Sequence, residues 1–388
     1  MAITNNVLHC DGKVTSFVEL LRNDLPDHRD NRGKVHSLTV VIVGVVLATL
    51  IGRQSLSGVH RFLVARADWL GKLVQIEGGK PISRAHLPRL LNGLDWVTLN
   101  GLIERCFCVR LQCDGQKRWV AVDGKALRGT LDAGDKQNLI LAVAHDTREV
   151  LAQARQCGDK SSEIPEVRML LKDSGLEGQK VSLDAHHFNP TTVTQVHQAG
   201  GIYLTQVKEN QPVFLQQCQT LHSQASALAD TVEHEKAHGR VTTRCAKIFA
   251  LTSLTPDPRW KDSGLSVLVV MERETFEVAK QKTSSETSYY VSNTALTPSN
   301  EKPVVEELAQ AIRGHWGVES NNWIRDVTFG EDNVKTKAGN QAQVMGLLRG
   351  LAIELIRKTS PKNFKAAIEK FADVTGYLES MLLQVKFL

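Results

Sequence analysis

No two cysteines in this chain are spaced as a redox or zinc motif requires. The seven stand at 10, 106, 108, 113, 157, 218 and 245, without a CxxC pair. An odd count without regular spacing reads as free thiols in a reducing compartment, and argues against a disulfide-built fold. The N-terminus, MAITNNVLHCDGK, lacks a basic segment followed by an apolar core, so no signal peptide is expected. Long apolar runs are also lacking. The longest, LTVVIVGVVLATLIG at 38–52, falls short of the roughly 20 residues of a membrane-spanning helix and is followed by Arg53. It is expected to be a buried core helix. Neither sign of charge dominates: 47 Lys and Arg face 42 Asp and Glu, for a net charge of +5. Mild basicity suits a nucleic-acid partner, but it is equally common among metabolic enzymes.

What is present is ordinary for a globular chain of 388 residues with 42% hydrophobic content, long enough for two or three domains. Residues 14–110 read as helical. Phe17, Leu20 and Leu21 recur at helical spacing, and GVHRFLVARADWLGKLV keeps the pattern beyond the 38–52 run. Ser83 is a candidate N-cap for a segment 83–92 carrying Arg84, His86 and Arg89, with Pro88 inside it to bend or shorten the helix. That segment could be the recognition helix of a helix-turn-helix, or one helix of a bundle whose charged face is merely solvated.

From about 115 strands alternate with helices. RWVAVDG, NLILAVAHD and EVLAQARQC are apolar runs separated by short turns, suggesting an antiparallel three-stranded start. The helix SSEIPEVRMLLKDSG follows, with Ser161 or Ser162 as cap. The strand KVSLDA, the helix TTVTQVHQAG and the strand GIYLTQVK come next. This order is that of a ribonuclease H-like α/β core. At 213–300 a polar helix, FLQQCQTLHSQASALADTVEHEKA, and several strands read as a β-rich insertion, before a long helix beginning at EKPVV. The division expected is a helical N-terminal domain, 1–114, for DNA binding, and a catalytic domain, 115–388.

Three acidic residues stand in settings that phosphodiester chemistry uses. Asp123 closes WVAVD and Asp184 closes KVSLD, while Glu319 lies in the helical stretch RGHWGVES. Two carboxylates at strand ends and one on a helix can converge on a pair of Mg²⁺ or Mn²⁺ ions, hard cations that favour oxygen ligands. Gly124 would let the chain turn after Asp123, and Lys125 and Arg128 offer cations to a phosphate. His186 and His187 follow Asp184; without a third ligand at zinc spacing, they suit a contact to DNA or to another carboxylate. On one helix His315 and Trp323 share the face of Glu319, whereas Arg313 lies elsewhere. Asp326 rivals Glu319 as third ligand, and Glu331 and Asp332 are weaker rivals. In isolation each acid also has a bland reading, as a turn residue or a solvated helix position. The clusters KENQP (with Lys208), HGRVTTR and KTKAGNQAQ add polar surface without deciding anything.

Taken together these segments are familiar. DHRDNRGKVHSL, VDGKALRGT, KSSEIPEV, SLDAHH, KENQP, HGRVTTR, RGHWGVE and DVTFGED occur in this order along nearly the whole chain. The chain resembles the H-repeat-associated insertion-sequence transposases, a DDE group with a ribonuclease H-like catalytic domain. The resemblance implies that Asp123, Asp184 and Glu319 match the catalytic, metal-binding triad. It implies cleavage at insertion-sequence ends with two Mg²⁺ or Mn²⁺ ions and strand transfer into target DNA. Lys125, Arg128, His187, Lys208, Arg313, His315 and Trp316 become the expected contacts to double-stranded DNA. A homodimer on DNA, in the bacterial cytoplasm at the nucleoid and away from membranes, completes the picture. The chain departs from the family's pattern in places. DAHHFN stands where DALHTQ is usual, and Ile312 holds a tyrosine's place. Asp326 follows Glu319 by seven residues, one fewer than usual, which on a helix is a rotation of about 100°. Either the helix ends early and absorbs the change, or the two sides of the site are misaligned. The alternative is therefore a catalytically inactive, transposase-derived DNA-binding protein.

Overall fold

The computed structural model describes residues 15–76, 79–107, 116–133, 137–157, 163–251, 257–333, 336 and 338–388. Strands β1 (Trp119–Ala126), β2 (Gln137–Ala144) and β3 (Val150–Cys157) form the expected antiparallel meander. β2 is buried along its whole length, which is why it reads as a continuous apolar run and not as an alternation. Helix α7 (Glu163–Asp173) leads to β4 (Lys180–Leu183), and α8 (Pro190–Gln198) leads to β5 (Ile202–Val207). β4 lies parallel to both β1 and β5. The capping serines proposed for α7, Ser161 and Ser162, lie outside the described residues. Asn189 caps α8, accepting from Thr192 N at 3.0 Å, with Pro190 in the first turn where no N–H is needed.

After α9 (Pro212–Gln224) the chain adds β6 (Ala229–Ala237), β7 (Arg240–Ala250), β8 (Val267–Glu277) and β9 (Lys282–Ser292). The polar helix expected to run on through EHEKA ends at Gln224, and its second half is the edge strand β6. ADTVEHEKA offers a helix no apolar stripe to bury, whereas as a strand it satisfies the backbone of β7. β9 returns to pair with β5, so these strands continue the same sheet. Its order is β3-β2-β1-β4-β5-β9-β8-β7-β6, the centre of a mixed α/β fold.

Helix α10 (Glu301–Trp323) crosses one face of that sheet. Val304, Val305, Leu308 and Ile312 pack on Ile248, Val267 and Val269, and Val318 packs on Ala121, Leu141 and Val143. A Cβ at Gly314 would overlap the His145 ring, and one at Gly317 the Arg148 guanidinium. The glycines of RGHWG therefore serve the close approach of α10 to the β2–β3 turn. At Ile324–Thr328 the α-helix gives way to one turn of π-helix. The α-helix thus ends before Asp326, inside the short interval.

The N-terminal region is helical as expected: α1 (Phe17–Asp24), α2 (Leu38–Leu50), α3 (Leu56–Ala65), α4 (Ala67–Leu73), α5 (His86–Asn92) and α6 (Trp96–Phe107). They share one apolar core with α11 (Gly339–Arg357), α12 (Phe364–Asp373) and α13 (Thr375–Gln384). α2 is apolar on every side because it is buried on every side. Among the described residues no helix is long and apolar enough to cross a membrane. α5 begins only at His86, with Pro88 in its first turn, so the segment expected over 83–92 is shortened to seven helical residues, and Ser83 Oγ accepts from His86 N at 3.3 Å. Leu87, Leu90 and Leu91 are buried, while Arg84, His86 and Arg89 stand exposed. The boundary expected near 114 falls within 108–115, outside the described residues.

Candidate active site

Parallel pairing brings the two aspartates together. Val122 on β1 is the register partner of Leu183 on β4, and Asp123 and Asp184 each come one residue later. Neighbouring strands lie about 4.8 Å apart, so the two carboxylates rise side by side. β1 does not turn at Gly124 as expected but continues to Ala126. The glycine has another use: a Cβ there would lie 2.5 Å from Cδ of Glu163, whose carboxyl occupies that space. Burial, and then the charges of Asp184 and Glu163, push the Asp123 carboxyl up to about 7.

Asp184 caps the short turn Ala185–His187, with Oδ1 accepting from His186 N at 2.9 Å. The turn is held from KENQP, where Asn210 Nδ2 donates to Ala185 O at 2.7 Å and Gln211 Nε2 to Phe188 O at 3.1 Å. Phe188, one of the departures from the family's usual residues, stacks on Trp260 at 4.4 Å. It is a core residue. His187, an expected DNA contact, is fully buried; its Nε2 lies 3.1 Å from Glu163 Oε1 and 3.9 Å from Asp184 Oδ1. The second alternative for this histidine, contact with a carboxylate, is the one realised.

Helix α10 supplies the third side. His315, Glu319 and Asn322 recur at i, i+4 and i+7, one stripe of the helix. His315 Nδ1 lies 2.9 Å from the Ser182 hydroxyl, which also meets His145 Nε2 at 2.8 Å. Burial depresses the basicity of both imidazoles, that of His145 to about 3. At the other end Asn322 Nδ2 donates to Asp123 Oδ2 at 3.4 Å. Glu319, between them, is exposed and makes no hydrogen bond or ion pair among the described residues. Among those residues no three His, Cys, Asp or Glu side chains already converge as a metal cage.

Asp326, the rival third ligand, is taken up by Lys125, whose Nζ lies 2.5 Å from its Oδ1. Lys125 was expected to meet phosphate. It is 5% exposed and also faces Glu331 at 3.7 Å and Asp332 at 3.6 Å, so it belongs to a buried ion network. Arg313 pairs with Glu233 and Glu235 of β6, and His315 is half-buried and held by Ser182. Arg128 and Lys208 are exposed, as are Trp316 (57%) and Trp323 (60%), which flank Glu319 at i−3 and i+4. Beside them a groove of about 1440 Å³ opens between α10 and β6–β9; Arg240, Arg244, Arg273 and Arg313 in it pair with glutamates, and Arg148 donates to Gly314 O. Glu163, Asn322 and Ser182 were not singled out from the sequence. KSSEIPEV and SLDAHH marked the places of two of them without giving a role.

Residues 114–355 match the model of the transposase DDE domain, and residues 22–107 match that of its associated N-terminal region. The chain belongs to the DDE transposase family. The transposase is 27% identical to YbfL of Escherichia coli K12 over 92% of this chain and 95% of that one. It is 26% identical to the H repeat-associated YhhI of the same strain, over 92% of this chain and 95% of that protein. It is also 26% identical to YncI of E. coli O157:H7, over 92% of each. Membership implies DNA as the partner, and transposase domains of this kind generally use divalent metals.

Proposed function

We propose that this transposase cuts DNA at insertion-sequence ends and joins them to target DNA, on a ribonuclease H-like core, with Asp123, Asp184 and Glu319 as its catalytic acids. The observation that carries the reading is the side-by-side placement of Asp123 and Asp184 beneath the α10 stripe that bears Glu319. The donor set fits two Mg²⁺ or Mn²⁺ ions: carboxylate oxygens are their preferred ligands, and a cation would offset the burial and then the neighbouring carboxylates that raise the Asp123 carboxyl. When bound, such ions stabilise the attacking and leaving oxygens of an in-line displacement. The chain's own residues orient the acids: Ser182 pins α10 through His315, and Asn322 ties it to Asp123.

Arg128, Lys208 and Trp316 are the residues we assign to DNA, the cations to phosphates and the indole to a base or sugar. The helical region, 1–114, is read as the part that binds element ends, with 115–388 as the catalytic domain and 213–300 as its insertion. A homodimer with one protomer at each end, acting at the bacterial nucleoid in the cytoplasm, follows from a reaction that joins two ends. The second reading is an inactive DNA-binding descendant; the exposure of Glu319, with Asn322 in its place against Asp123, favours it. Cleavage and strand transfer on DNA carrying the element's ends, with Mg²⁺ or Mn²⁺, separates the two. Activity in the wild type, lost in Asp123→Ala and Glu319→Ala but kept in Asp326→Ala, is the result expected. Specific binding without any cleavage by the wild type would establish the second reading.

A further inference from the structure

We propose that Glu163 is a positioning residue for the aspartate pair, acting on Asp184 through His187 and on Asp123 through its contact with Gly124. The inference rests on the metal-site reading above. Glu163 opens α7 and is 7% exposed, yet among the described residues its side chain meets a histidine and not a lysine or arginine. Carboxylate oxygens accept hydrogen bonds, and His187 Nε2 lies 3.1 Å from Glu163 Oε1. The same Nε2 stands 3.9 Å from Asp184 Oδ1, and His187 Nδ1 is buried without a partner. One ring nitrogen thus stands between the two carboxyls, held by Glu163 and within reach of Asp184. On its other flank the Glu163 carboxyl lies where a side chain at position 124 would be, directly behind Asp123.

This placement is hard to explain as stabilisation. A buried carboxylate beside two others is repelled by both, and among the described residues the His187 contact and the N-terminus of α7 offset this. A glutamine of the same shape would still accept from His187 and would remove the repulsion. What glutamine would not do is hold the imidazole as firmly or add negative charge behind the pair. Groups that orient metal ligands from behind typically change metal affinity 10–100-fold when altered. A structural role and a positioning role therefore move two observables in opposite ways.

The test uses the full-length protein and Mn²⁺, with free Mn²⁺ followed by its electron paramagnetic resonance signal and thermal melting recorded without metal. Wild type should bind Mn²⁺, and Asp123→Ala should abolish binding. Glu163→Gln should melt at the wild-type temperature or above it while binding Mn²⁺ about 10–100-fold more weakly. His187→Gln should also weaken binding, and the double variant should be no weaker than Glu163→Gln alone, because His187 lies on one of the two paths by which Glu163 acts. Glu163→Gln with wild-type Mn²⁺ affinity, or with a lowered melting temperature and unchanged affinity, would overturn the inference and leave the metal-site reading standing. Absence of Mn²⁺ binding in the wild type would overturn both.

Discussion

Asn322 reaches from α10 to β1, its Nδ2 donating to Asp123 Oδ2 at 3.4 Å, while its own Oδ1 is buried without a partner. It ties the helix that carries Glu319 to the Asp123 carboxyl itself, while Trp119 Nε1 at the start of the same strand donates to Glu307 of the helix at 2.8 Å. Asn322→Ala should therefore lower the cleavage rate about 10–100-fold, the range seen when groups supporting a metal site are removed. Glu319 would keep its place in sequence but lose its bearing on Asp123. Binding to element-end DNA, measured by gel shift, should be unchanged. A matching loss of DNA affinity would mean that Asn322 touches the nucleic acid.

Lys125 makes a different kind of prediction because its charge is buried. It faces Asp326, Glu331 and Asp332, next to a second ion pair in which Arg325 Nη1 meets Glu331 Oε1 at 3.1 Å. Lys125→Met keeps the stem and removes the ammonium, leaving three carboxylates short of a cation. Breaking a buried pair by removing one partner typically costs about 3–5 kcal/mol. Urea unfolding should show a loss of that size, and added salt should restore little of it, since buried charges are poorly screened. A loss below about 1 kcal/mol would mean that water reaches the cluster.

The strand order and the paired aspartates were legible because each rests on a local signal: apolar runs of strand length, and an acid closing two of them. Residues that act between elements were not. Lys125 and Arg128 look alike in VDGKALRG, yet one lies beneath three acids and the other is exposed, which only the fold of 326–332 decides. His187 reads as a contact either to DNA or to another carboxylate until Glu163, far back in sequence, is seen to meet it. The EHEKA segment misled because polar residues give a helix and an edge strand the same composition, and pairing with β7 settles it.

Gly314 shows where packing outweighs propensity. An alanine inside a helix is favoured over glycine by about 1 kcal/mol. Here the added Cβ would meet the His145 ring, which cannot easily move: it stacks on Trp119 at 5.9 Å and its Nε2 is engaged by Ser182. Overpacking of this kind costs about 1–3 kcal/mol, more than the helix gains. Gly314→Ala should lower thermal stability, and Gly314→Ala combined with His145→Ala should recover part of it. Stabilisation by the single substitution would show that α10 can lift from the β2–β3 turn.

The acid pair also sets a pH dependence for the metal-free protein. Asp123 is pushed up to about 7, and Glu354, buried near Arg357, also rises to about 7. Both are raised carboxyls, so between roughly pH 4 and 7 the folded state holds protons that the unfolded state has released. Stability contributed this way is present at low pH and lost as pH rises through that window. His145, depressed to about 3 by burial, acts oppositely, lowering stability as pH falls below its unfolded value. Net curves therefore mix signs, but the difference between wild type and Asp123→Asn isolates one group. The substitution should become progressively more stabilising, relative to wild type, as pH rises from 4 to 8 in the absence of metal. Saturating Mg²⁺ should stabilise the wild type at pH 8 and leave Asp123→Asn almost unmoved, because only the wild type offers the ionised carboxylate. A difference curve flat with pH would show that Asp123 is already ionised in the metal-free fold.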